Sequence, residues 1–134
     1  MFHLIKILNG RIGVPEPERI SLTTAVTVKY GSPITVKSGV ATPVTASTTA
    51  RPTHLVLADS DGKELRAARI SPEMLFEVKL SAAPSFMTVG TEYLLSADGT
   101  AISATAASGD KRGAVLIDKM GAKAIGDTVC VAFR

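Results

Sequence analysis

The sequence has 134 residues, 46% of them hydrophobic, 4% aromatic and 20% charged, with a formal charge of +3 at pH 7. One domain fits this length, and the apolar content excludes disorder by composition. A shortage of aromatic platforms and a mild charge argue against a dedicated nucleic-acid binder, and the single cysteine, Cys130, excludes an intramolecular disulfide and a multi-cysteine zinc site.

The opening Met1-Phe-His-Leu-Ile-Lys-Ile-Leu is apolar for only a few residues before Asn9-Gly10-Arg11. That is too short for a signal-peptide core or a membrane helix, so the chain is expected to stay in a cytoplasm or in something assembled there. Residues 1–19, with Gly10, Gly13, Pro15 and Pro17, read as an extended arm ahead of a domain over 20–134. The alternative is that residues 2–8 form a strand of the domain's own sheet.

Period-two alternation dominates the chain from Ile20 onward. Strand-sized runs are Ile20–Thr23, Ala25–Lys29, His54–Ala58, Leu75–Leu80, Ala114–Ile117 and Thr128–Phe133. Ser38-Gly39, Asp61-Gly62, Asp98-Gly99 and Ser108-Gly109 interrupt them with residues that tolerate positive φ. The uncharged stretch 38–50 reads as a surface loop, and the Ala-rich stretch 99–109 has the same flavour. Ser71-Pro72-Glu73-Met74 offers at most one helical turn. The fold class expected is all-β, a small sandwich or barrel.

Side chains suited to catalysis are few. His3 and His54 are the only imidazoles. Cys130 with His54 is the most plausible nucleophile–base pair, but Cys130 lies between Val129 and Val131, where a buried structural thiol is the ordinary case. Asp59-Ser60-Asp61-Gly62 resembles half a calcium loop; the positions that should complete it are Leu57 and Ala68, which carry no ligating oxygen. No Gly-Lys-Ser or Gly-Lys-Thr phosphate loop occurs. The basic clusters Lys63, Arg66, Arg69 and Lys111, Arg112 are interleaved with Asp61, Glu64 and Asp110, as on a solvated strand face. No catalytic, cofactor or metal site is expected, and the chain reads as a non-enzyme.

The order of features resembles a known family. Leu4-Ile-Lys-Ile-Leu-Asn-Gly-Arg-Ile-Gly-Val-Pro-Glu16, Lys37-Ser-Gly-Val-Ala41, Arg51-Pro-Thr-His-Leu-Val56, Ile70-Ser-Pro-Glu-Met-Leu-Phe-Glu77, Val89–Gly99 and Gly126–Phe133 are similar in layout to the small capsid decoration (cement) proteins of tailed bacteriophages. The resemblance implies a β-barrel or tulip-like fold on the outer surface of an expanded head. It also implies homotrimers that cross-link major capsid subunits against DNA pressure, without cofactor, membrane or direct nucleic-acid contact. Phe2, Leu4, Ile5 and Ile7 of the arm are then the expected capsid contacts, by strand addition to a sheet edge. A basic nucleic-acid-binding barrel, or another virion part such as a tail-tube or head-completion subunit, is the alternative.

Overall fold

Alternating apolar residues and glycine turns build two antiparallel sheets in a computed structural model that describes residues 1–7 (backbone only for Lys6 and Ile7) and 16–134. In chain order the strands are β1 (His3–Ile7), β2 (Glu18–Ser21), β3 (Pro33–Lys37), β4 (Val40–Pro43), β5 (His54–Val56), β6 (Glu64–Arg69), β7 (Met74–Lys79), β8 (Glu92–Leu95), β9 (Ile102–Ala106), β10 (Ala114–Asp118) and β11 (Thr128–Ala132). Six form a sheet in the order β1-β7-β11-β10-β8-β9, and five form a second in the order β2-β6-β5-β3-β4. The described residues contain no helix, and Ser71–Met74 makes only a turn, closed by Met74 N–H to the Ser71 carbonyl at 3.2 Å.

The protein is therefore all-β, but among the described residues neither sheet closes. A lone parallel bridge between Leu80 and Ile102 carries β9 back to the end of β7, so the larger sheet curls without becoming a barrel. Inward residues of that sheet, among them Phe76, Val78, Leu95, Leu116, Val129 and Val131, make the main core, which Val44 and Leu55 join from the chain of the smaller sheet. A second cluster under the smaller sheet holds Leu22, Ile34, Val56 and Leu65. In β6 the alternation is visible residue by residue: Leu65 and Ala67 are buried, Glu64 and Arg66 exposed.

Two expected loops conceal strands. The stretch 38–50 contains β4, folded onto β3 by a two-residue turn in which Ser38 (φ 50°) and Gly39 (φ 76°) are both left-handed. That turn matches the twist of a tight hairpin. The stretch 99–109 contains β9, paired with β8. Conversely, Ala25–Lys29 is irregular apart from the single bridge of Val28 with Ser60.

The free-arm expectation needs correction at residues 1–7. β1 pairs antiparallel with β7, with His3 opposite Glu77 and Ile7 opposite Met74. Phe2 is completely buried, its ring 5.2 Å from that of Phe133, and its N–H donates to the Gly31 carbonyl at 3.0 Å. The ordinary hydrophobic effect explains this: Phe2 is one of only four phenylalanines, and its burial completes a ring cluster with Phe133 and Phe76. The boundary expected between residues 19 and 20 falls inside β2. Gly10, Gly13 and Pro15 lie outside the described residues.

Candidate interaction surface

The candidate catalytic groups are separated by the topology. His54, in β5 of the smaller sheet, is buried, with Nδ1 2.8 Å from Thr53 Oγ1 and Nε2 3.4 Å from Glu18 Oε2. Arg69 Nε donates to the other Glu18 oxygen at 3.2 Å. This hydrogen bond from Arg69, followed by the charge of Arg69 and the contact with His54, holds the Glu18 carboxyl below its ordinary range. The group is a knot that ties edge strand β2 to β5 and β6.

Cys130 lies in β11 of the other sheet, buried beside Leu75 and Ala132. Burial pushes its thiol pKa up, and the charges of Asp118 and Glu77 push the same way. A thiol held protonated is a poor nucleophile. The Cys130–His54 pair is thus not assembled.

The remaining motifs have local explanations. Asp59 accepts from the Tyr30 N–H at 2.8 Å and from Lys29 Nζ at 3.2 Å, which together lower its pKa. Among the described residues no three His, Cys, Asp or Glu side chains gather as a metal site. On the β6 strip, Arg19 meets Glu64 at 3.3 Å and Arg69 meets Glu18, while Arg112 reaches Glu92 at 4.0 Å. On this strip exposed basic and acidic side chains are interleaved.

Two surfaces remain. The first surrounds β1, the edge strand of the larger sheet; among the described residues no strand pairs with its other flank. Of the expected contact residues, Phe2 is withdrawn into the core and Leu4 is half-buried against it. Ile5 is exposed, and the side chain of Ile7 lies outside the described residues. Beside the strand, between the two sheets, is a cavity of about 260 Å³ lined by Leu4, Tyr30, Leu57, Arg69, Ile70 and Met74, among others. An extended segment laid along β1 could satisfy its open backbone groups and place a side chain in this cavity.

The second surface is an end of the larger sheet formed by the loops 80–91 and 119–127. Gly90 N–H donates to the Leu116 carbonyl at 2.7 Å, and Leu80 exchanges hydrogen bonds of 2.9 Å with Asp127 and Gly126, so both loops sit at the same end of β7, β10 and β11. Phe86 and Val89 on one loop and Met120 and Ile125 on the other are exposed there. The sequence reading missed all four. A signal existed: Phe86 stands in an uncharged segment, after Pro84 and outside every alternating run, where no strand face would bury it. No protein-family model matches the sequence, and no curated protein matches it.

Proposed function

We propose that this chain is a structural virion protein that decorates the outer surface of an expanded phage head and cross-links neighbouring major capsid subunits. The observation that carries the reading is β1: a short, partly apolar edge strand with no strand on its other flank among the described residues, lying beside an apolar cavity. Such an edge offers backbone groups to a strand of a neighbouring protein, which gives affinity through main-chain bonds and register through side-chain pockets. The layout shared with cement proteins supplies the capsid as the neighbour. The strand is not a free arm that must order on binding; anchored by Phe2, it is already in place, and binding avoids that entropy cost.

Assembly into trimers is part of the proposal. Three edges held at fixed spacing raise avidity only where three matching sites are exposed together. The test is co-sedimentation of the purified chain with expanded, undecorated heads and with unexpanded procapsids. Saturable binding to expanded heads alone is expected. Equal binding to both particles, or to neither, would reject the proposal.

A further inference from the structure

We infer that the loop end bearing Phe86 is a second docking surface, and that its partner is a protein face with an apolar pocket and an acidic rim. The inference rests on the decoration reading for the identity of that partner, the outer face of the capsid.

Phe86 is 94% exposed and Ile125 68%, the two highest values among the exposed large hydrophobic side chains described. The turn that presents Phe86 is built rather than loose. Pro84 and Met87 on either side of it are buried, Met87 N–H donates to the Pro84 carbonyl at 3.1 Å, and Thr88 N–H donates to the Tyr93 hydroxyl at 2.6 Å. A ring held out by a fixed turn loses little freedom on docking, and aromatic anchors entering desolvated pockets dominate protein interfaces. A lipid surface would need no such fixed presentation, so the pre-ordered turn favours a protein.

Charge selects the partner's sign. The loop 80–91 contains no charged residue. Beside it stand Lys79, Lys119 and Lys123, which have no ion-pair partner among the described residues. Three acids border this end: Glu92, directly after the loop, accepts from Gly113 N–H at 2.8 Å and lies 4.0 Å from Arg112, while Asp118 accepts from Met120 N–H at 2.8 Å and Asp127 from Lys123 N–H at 2.8 Å and Ala124 N–H at 2.9 Å. With three lysines outnumbering the acids that lack a basic partner, the apolar tip stands in an end of net positive charge, complementary to carboxylates around a pocket.

Binding of wild type, Phe86→Ser and the double variant Lys119→Glu/Lys123→Glu to expanded, undecorated heads tests the inference, with circular dichroism confirming that each variant is folded. Phe86→Ser is expected to weaken binding about thirtyfold. The charge reversal should weaken it about tenfold and flatten its salt dependence. Wild-type affinity in Phe86→Ser would overturn the inference while leaving the decoration reading intact; failure of the wild type to bind heads would overturn both. Phe86-dependent binding to phosphatidylcholine/phosphatidylserine vesicles would reassign the ring to lipid. Loss of self-association in Phe86→Ser, read by sedimentation equilibrium, would reassign it to a second copy of the chain. Either result would overturn a capsid partner.

Discussion

Asp98 shows how a single side chain shapes the chain's response to acid. Its carboxylate accepts from the Ser96 hydroxyl at 2.6 Å and from the backbone N–H and hydroxyl of Thr100 at 3.1 and 2.9 Å. These bonds, that from Ser96 first, lower its pKa from 3.8 to about 2. A carboxyl depressed in the folded state stabilises it above the unfolded pKa and loses that contribution as pH falls through the folded one. Stability should therefore drop as pH falls from 3.8 toward about 2, and Asp98→Asn should flatten part of that drop in denaturant melts across the range. At Cys130 the expectation is the reverse of a reactive site. Cys130→Ser should cost about 1–3 kcal/mol, for a hydroxyl poorly paired in an apolar setting, and leave attachment to heads unchanged. Bulky thiol reagents should label the native protein slowly; rapid labelling would show that the residue is not sequestered.

At the level of elements, the sequence was legible where large apolar residues recur within a strand-sized run. Met74–Lys79, Ala114–Asp118 and Thr128–Ala132 were readable because Val, Leu and Phe recur on the core side. β4 and β9 were hidden because their residues are small and uncharged: Val40-Ala-Thr-Pro and Ile102-Ser-Ala-Thr-Ala carry little apolar signal, and it is the ladders with β3 and β8 that hold them. Of the candidate surfaces, the apolar run holding Ile5 was noticed in the sequence, whereas Phe86 was overlooked, because its one signal, a place outside every alternating run, runs against the pattern that reveals cores. β1 itself depends on a contact far away in sequence. Deleting residues 1–7 removes Phe2 from its cluster with Phe133 and Phe76 and strips a strand from β7. The shortened chain should lose about 3–5 kcal/mol for the ring alone, measured as a lowered midpoint in thermal or urea melts. A truncated chain as stable as the full one would mean that Phe2 contributes little to the core.

For the whole molecule, the decoration proposal has a thermodynamic corollary. A ligand that binds only the expanded head must stabilise that state, by an amount set by its concentration relative to Kd. Heads saturated with this protein should release DNA at a higher temperature than bare heads, and the shift should keep growing with the logarithm of free protein concentration beyond saturation. Release at the same temperature would leave the protein attached yet mechanically idle. Salt should weaken attachment as the lysine-bearing end is screened, while the strand edge at β1, held by main-chain bonds, should be far less sensitive.

The pairing of Phe2 with Phe133 also bears on how the chain is made. Those rings meet across nearly the entire sequence, and β1 docks on β7, whose other neighbour is β11. A core of this kind cannot be completed on the ribosome until β11 and Phe133 have cleared the exit tunnel, and until then Phe2 waits without that ring. Long-range pairing of this sort folds in milliseconds to seconds. A nascent chain stalled before residue 128 should therefore remain open to proteases and chaperones at its beginning, and become resistant only after Phe133 emerges.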